Sequence, residues 1–160
     1  MHIRFISTGG TIDKIYFDEL SQFEVGESQM EHILREGLVQ FDYDIVPLMK
    51  KDSLQIKEAD RRILRDYIEA DEGTHYIVTH GTDTMPETAE YLSTLEGKTI
   101  VLTGALTPAR FRTTDAMFNI GMAVAAVQTL APGSYIAMSG QVFKAGTVRK
   151  NRKENRFEPI

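Results

Sequence analysis

The chain of 160 residues lies within the size range of a single domain, and its 42% hydrophobic and 26% charged residues are typical of a globular protein. It contains no cysteine, which excludes disulfide bonds, thiolate metal ligands and a cysteine nucleophile. The net charge of −5 argues against nucleic acid as the main partner, and no apolar run is long enough to predict a membrane span.

Five short apolar runs, rich in β-branched and aromatic residues, predict five strands. They lie at residues 3–6, 43–46, 76–78, 99–102 and 135–138. Each run is too short for a helix of ordinary length.

Four helices are predicted between these strands. A capping-box pattern at residues 28–31 starts the first, with Ser28 as the N-cap, and the second begins near residue 56. A second capping box at residues 84–87 starts the third, which runs toward residue 95. The fourth covers about residues 115–130 and ends before Pro132 and Gly133.

Regular alternation of strands and helices predicts a parallel sheet with helices on both of its faces. We therefore expect one domain over residues 1–160 with an α/β, doubly wound fold, flavodoxin-like or Rossmann-like, and a mostly parallel sheet of about five strands.

Small and hydroxyl residues follow all five predicted strands. The segments are 7–11 (Ser-Thr-Gly-Gly-Thr), 50–53 (Lys-Lys-Asp-Ser), 79–84 (Thr-His-Gly-Thr-Asp-Thr), 103–105 (Thr-Gly-Ala) and 139–140 (Ser-Gly). Ligands of open parallel sheets bind at the carboxyl ends of the strands, so this pattern predicts a site there.

The residue types at these ends limit the chemistry of the site. Gly9 and Gly10 lack the spacing of a dinucleotide fingerprint or a P-loop, and the four histidines lack the spacing of zinc ligands. We therefore expect no metal and no cofactor. Hydroxyl, carboxylate and ammonium groups remain as the groups that could carry out the chemistry of this site.

A threonine hydroxyl becomes a useful nucleophile only when a base removes its proton. Lysine is the candidate base, with Lys150 first, and Asp83 is placed to orient it. The alternative is that the threonines only cap helices and turns; Thr84 has this role in the predicted capping box, and for Thr11 and Thr82 both readings stay open.

The carboxyl-terminal part of the sequence is basic. Residues 144–156 carry six basic side chains and one carboxylate, a net charge of +5, which leaves −10 on the remainder. A solvated tail, a nucleic-acid arm, a self-association surface and a local anion site are all consistent with this run, and we expect no nucleic-acid partner.

Three motifs resemble those of bacterial-type L-asparaginases. They are Thr-Gly-Gly-Thr-Ile at residues 8–12, His-Gly-Thr-Asp-Thr-Met at 80–85 followed by Glu87-Thr88-Ala89, and Thr-Gly-Ala-Leu-Thr-Pro at 103–108. The resemblance covers nearly the whole chain and matches only the amino-terminal domain of that family, so we expect no second domain.

The resemblance implies a role for each matching residue. Thr11 matches the nucleophile of a flexible loop, and Thr82 matches the second catalytic threonine. Asp83 would bind the substrate α-amino group. Lys150 matches the catalytic lysine, with Lys153 as the alternative.

Further positions follow from the same resemblance. Ser53 would hold the substrate α-carboxylate with Asp52 beside it, and the backbone at Gly81 and Ala105 would complete the pocket. Tyr16 is an approximate match for the tyrosine that activates the first threonine.

The resemblance implies that a threonine acyl-enzyme hydrolyses the side-chain amide of asparagine or a related small amide and releases ammonia. The alternative is a binding module for aspartate-like ligands that has lost turnover together with the second domain. We also expect a homodimer and, since the start of the chain lacks a long apolar segment, a cytoplasmic protein.

Overall fold

The structure is a computed structural model that describes residues 1–17 and 22–160. Its strands are β1 (His2–Gly9), β2 (Lys14–Phe17), β3 (Gln22–Val25), β4 (Asp42–Lys51), β5 (His75–Thr79), β6 (Thr99–Thr103), β7 (Gly133–Met138), β8 (Gln141–Lys144), β9 (Val148–Asn151) and β10 (Arg156–Pro159). Its α-helices are α1 (Met30–Glu36), α2 (Glu58–Ala70), α3 (Met85–Leu92) and α4 (Ala116–Thr129). Short 3₁₀ turns cover Thr11–Asp13, Ser53–Gln55 and Thr82–Thr84.

The central sheet has the strand order β4-β1-β5-β6-β7-β8. Neighbouring strands from β4 to β7 are parallel, and β8 runs antiparallel to β7. The five parallel strands are the five predicted ones, in the order second-first-third-fourth-fifth of flavodoxin-like sheets. This order confirms the predicted α/β fold. The topological switch point, where the direction of the strand connections reverses, lies between β1 and β5.

Both faces of the sheet are covered, because neighbouring strand residues point to opposite sides. On one face, Ile6 and Val78 pack with α2 and α3. On the other, Phe5 and Ile77 pack with α1 and α4. These four side chains are fully buried, and such burial contributes about 1.5–3 kcal/mol for each.

The predicted capping box of the first helix is wrong. Helix α1 has Gln29 at its N-cap, and Ser28 Oγ accepts a hydrogen bond of 3.3 Å from the backbone N–H of Met30. The buried carboxylate of Asp13 instead accepts from the backbone N–H of Gln29 at 2.8 Å. A residue distant in sequence therefore adds an acceptor at the start of α1 that the local pattern does not predict.

The predicted start of the third helix is correct, but its capping box and its end differ. Thr84 is the N-cap of α3 without a side-chain capping bond, since its hydroxyl donates to the carbonyl oxygen of Ser53 at 2.7 Å. The helix ends at Leu92, short of residue 95, with Ser93 at the C-cap.

Two antiparallel hairpins, β2–β3 and β9–β10, and the edge strand β8 were not among the predicted elements. The hairpin β9–β10 contains most of the basic segment, so that segment is folded rather than a solvated tail. Val148 and Phe157 anchor it in the core that also contains α3. Within residues 1–17 and 22–160, the structure contains no helix with the length and apolar character needed to cross a bilayer.

Candidate active site

The ends of β1 and β5, and the loops that follow them, are in contact at the topological switch point of the sheet. The Thr8 hydroxyl donates to the carbonyl oxygen of Thr79 at 2.8 Å. Gly10 has φ +90°, and a Cβ atom there would overlap the backbone of Gly81. Glycine is therefore required at this contact, and Thr11 and Thr82 each follow it by one residue.

The loop after β4 interlocks with the same β5 loop. The backbone N–H of Asp83 donates to Ser53 Oγ at 3.3 Å, and the Thr84 hydroxyl donates to the Ser53 carbonyl oxygen. A Cβ atom on Gly81 would lie 2.6 Å from Ser53 Cβ. These contacts bring Ser53 beside Thr82 and Asp83, although the residues are about thirty positions apart.

Lys150 reaches this cluster from strand β9. It lies two residues after the buried Val148, so both side chains point to the same face of the hairpin. Its Nζ donates to Thr82 Oγ1 at 3.2 Å and to Asn155 Oδ1 at 2.8 Å. Lys153 lies in the exposed turn of the hairpin, and its backbone N–H donates to Asn151 Oδ1.

The electrostatic surroundings of Lys150 act in two directions. Partial burial lowers the pKa of its amine, while the charges of Asp83 and Asp115 oppose that shift. The net pKa is below the ordinary value of lysine. An amine of lowered pKa beside a threonine hydroxyl is suited to accept the hydroxyl proton.

His80 supports the β5 loop from inside. Burial lowers its pKa to about 4, so the imidazole is neutral at pH 7. Nδ1 lies 2.7 Å from the carbonyl oxygen of Gly81 and therefore carries the proton, and Nε2 accepts from the Thr88 hydroxyl at 2.9 Å. The spacing of the histidines did not point to this role.

Asp13 holds the loop that carries Thr11, a contribution that the sequence motifs did not indicate. Burial raises the pKa of its carboxyl to about 6, although hydrogen bonds from the Gln29 backbone and the Ser7 hydroxyl act to lower that pKa. The Ser7 hydroxyl donates to Asp13 at 2.9 Å. Thr11 itself is half-buried at the start of the 3₁₀ turn.

Asp52 is turned toward the β2–β3 hairpin. Its carboxylate pairs with Lys14 Nζ at 2.8 Å and also accepts from the Leu54 backbone at 3.4 Å. Although burial raises its pKa, the hydrogen bond and charge of Lys14 hold that pKa below its ordinary value. Asp52 therefore links the hairpin to the Ser53 turn.

Tyr16 lies in an exposed aromatic cluster. The residue is 53% exposed, and its ring packs against Phe23 with a centroid separation of 5.5 Å. Phe23 in turn packs against Phe111 at 5.8 Å. The structure brings Tyr16 to this cluster rather than to the interlocked loops. Ala105, by contrast, is buried two residues after the end of β6.

The structure thus brings Ser53, Thr82, Asp83 and Lys150 into one polar cluster, with Gly10 and Gly81 at its base. Across residues 1–17 and 22–160, no group of three or more acidic or histidine side chains is arranged to hold a metal ion. What the cluster offers is an amine, two hydroxyls and a carboxylate.

The family model described as the N-terminal domain of asparaginase matches residues 2–157. A curated relative, a probable periplasmic L-asparaginase of Haemophilus influenzae, is 36% identical over 80 residues, which is 47% of this chain and 23% of the relative.

Solved structures of similar fold cover almost the whole chain. The thermostable L-asparaginase of Thermococcus kodakarensis has a TM-score of 0.84 at 24% identity, covering 100% of this chain and 51% of its own. L-asparaginase I of Vibrio cholerae has a TM-score of 0.86 at 23% identity, covering 99% and 51%. A probable cytoplasmic L-asparaginase of Campylobacter jejuni has a TM-score of 0.81 at 25% identity, covering 99% and 52%. The chain spans about half the length of these structures.

Proposed function

The chain belongs to the asparaginase family, which it matches through the N-terminal domain, and on this premise we propose that it hydrolyses the side-chain amide of asparagine or a related small amide. The observation that carries the proposal is the 3.2 Å contact between Lys150 Nζ and Thr82 Oγ1 at the carboxyl edge of the sheet. Nucleophilic catalysis by threonine needs a base at this distance.

The reaction proceeds in two steps. In the first, a threonine oxygen bonds to the amide carbon, the hydroxyl proton passes to the base, and the C–N bond breaks as ammonia leaves with a proton. In the second, water attacks the acyl carbon and the ester C–O bond to threonine breaks, which releases the carboxylic acid and regenerates the threonine hydroxyl. Lys150 serves Thr82 as the base, and Thr11, on the neighbouring loop after β1, is the other catalytic threonine.

The other residues of the cluster hold the substrate. Asp83 pairs with the α-amino group, and Ser53 donates to the α-carboxylate. The backbone N–H of Thr82 and the backbone beside Gly81 and Ala105 stabilise the oxyanion of the tetrahedral intermediate. One such donor is worth about 3 kcal/mol.

Ammonia release from asparagine, glutamine and simple amide analogues tests the proposal. We expect T82A and T11A each to lower kcat by at least about 100-fold. T94A, at an exposed threonine just after the end of α3, should leave kcat unchanged. Unchanged activity in both site variants would refute the assigned roles. Calorimetric binding of aspartate without ammonia release from any amide would instead indicate the binding module.

Two broader expectations remain proposals. We propose a homodimer, because large apolar side chains such as Phe111 and Phe118 are exposed. Light scattering that shows only monomer at micromolar concentration would contradict this. The cytoplasm is the proposed compartment; of the relatives, one is described as periplasmic and another as probable cytoplasmic.

A further inference from the structure

The side chain of Asn155 holds the amine on which the proposed reaction depends. Asn155 lies in the turn between β9 and β10, and its Oδ1 accepts a hydrogen bond of 2.8 Å from Lys150 Nζ. The same Nζ lies 5.2 Å from the ring centroid of Phe157. Asn155, Phe157 and Thr82 thus confine the amine from three directions.

The backbone of Asn155 explains why an asparagine suits this position. Its φ is +49°, a left-handed conformation that only glycine, asparagine and aspartate adopt readily. Glycine has no side-chain acceptor, and aspartate has a charged one. Asparagine alone combines this backbone with a neutral acceptor.

A neutral acceptor matters because the surroundings of Lys150 already contain many charges. Asp83 and Asp115 favour its protonated form. Glu87, Glu90, Arg149 and Arg152 line the same surface cavity as Lys150, on α3 and on the hairpin. On β10, Glu158 is paired with Arg149 and Arg156. A further carboxylate in direct contact would strengthen the hold of the amine on its proton.

We propose that Asn155 is a positioning residue: its side-chain oxygen aims the Lys150 amine at Thr82 and, because it is uncharged, leaves that amine able to lose its proton. This inference rests on the proposed function for its catalytic meaning. The placement and the proton affinity of Lys150 can be measured without any turnover.

Two substitutions that keep the left-handed turn separate the two effects. N155D retains the acceptor and adds a charge, so the acid limb of the kcat/KM profile moves to higher pH and the rate on that limb falls about two- to fivefold, the size expected for an exposed pair. The plateau at high pH equals that of the wild type. N155G removes the acceptor, so the limb moves to lower pH while kcat at the plateau falls about fivefold with KM unchanged.

The matched control is K153Q. It changes the charge of the same turn by the same amount as N155D, but residue 153 lies outside the contact with Lys150. Competitive acetylation at each pH, followed by mass spectrometry of every lysine, measures the pKa of Lys150 directly. We expect the pKa of Lys150 to rise in N155D, to fall in N155G and to show no comparable change in K153Q.

The inference is overturned if both Asn155 variants leave the titration of Lys150 where it is in the wild type, or if K153Q shifts it as far as N155D does. A wild-type chain that releases no ammonia from any amide counts against the proposed function, and the acetylation experiment still decides the role of Asn155. Urea unfolding of all variants shows whether the hairpin stays folded.

Discussion

A methyl group at Gly81 is the sharpest test of the interlocked loops. Gly81 has φ −65° and ψ 144°, which alanine adopts without strain, so G81A acts through steric contact alone. Its Cβ would lie 2.6 Å from Ser53 Cβ and 2.9 Å from Ser53 Oγ. With this atom between them, the two loops must either accept severe overpacking or move apart.

The expected loss follows from these contacts. If the loops keep their places, overpacking costs about 1–3 kcal/mol. If they separate, two hydrogen bonds to Ser53 are lost, from Asp83 N at 3.3 Å and from Thr84 Oγ1 at 2.7 Å, at about 1 kcal/mol each. A displacement of about 1 Å between Thr82 and Lys150 would also lower kcat about 100-fold.

Urea unfolding and ammonia release measure the two effects. G121A is the control, because Gly121 is exposed in α4 with no atom within 4 Å of an added Cβ. We expect G121A to be about 0.5–1 kcal/mol more stable than the wild type, a change opposite in sign to that of G81A. The double variant G81A/S53G should recover only part of the lost stability, because it removes the contacts with Ser53 Cβ and Oγ but leaves the contact of 2.9 Å with the Ser53 backbone N. The reasoning would be refuted if G81A had a free energy of unfolding within about 0.5 kcal/mol of the wild-type value and a kcat within about twofold of it.

Three further predictions concern Asp13, Lys150 and Arg152. The raised pKa of Asp13 means that its contribution to stability is complete below pH 3.8 and is lost as pH rises through about 6, by up to about 3 kcal/mol. D13N should therefore gain stability over the wild type between pH 4 and pH 7 in urea unfolding, and a pH-independent difference would contradict this; the opposing titration of His80 is common to both proteins. K150M should lower kcat by at least about 100-fold while aspartate binding by calorimetry stays near the wild-type value, and K153M should retain turnover. Equal losses in the two lysine variants would argue for a general charge effect. R152Q should lower KM for asparagine about two- to fivefold, because Arg152 Nε lies 4.0 Å from the Asp83 carboxylate and competes for it. R149Q, which loses an exposed pair with Glu158 instead, should leave KM unchanged.

The central architecture was predictable because it depends on local pattern. Each of the five parallel strands is an apolar run, and the four helices carry apolar residues at helical spacing, so short windows of sequence were sufficient. The position of the site followed from one topological rule, since the carboxyl ends of parallel strands meet at one edge.

The antiparallel additions were not predictable in the same way. Strands β3, β9 and β10 have four residues each and are largely exposed or charged, so they lack the apolar run that marks a buried strand. Strand β2 does contain a short apolar run, Ile-Tyr-Phe at residues 15–17, which was not among the predicted strands. The pairing of all four strands depends on contacts outside the strands, such as Val148 and Phe157 against the core and Lys14 against Asp52.

The division between sequence and tertiary structure is clearest in the site itself. The motifs alone identified Thr82, Asp83 and Ser53 as neighbours of the sheet edge, because each lies in a segment that follows a predicted strand. Only the fold decided that Lys150 rather than Lys153 contacts Thr82, that Asp52 turns to Lys14, and that Asp13 accepts a hydrogen bond from the backbone at the start of α1. Each of these depends on where distant segments pack against one another, and a side chain's partner across such a contact has no signature in the local sequence.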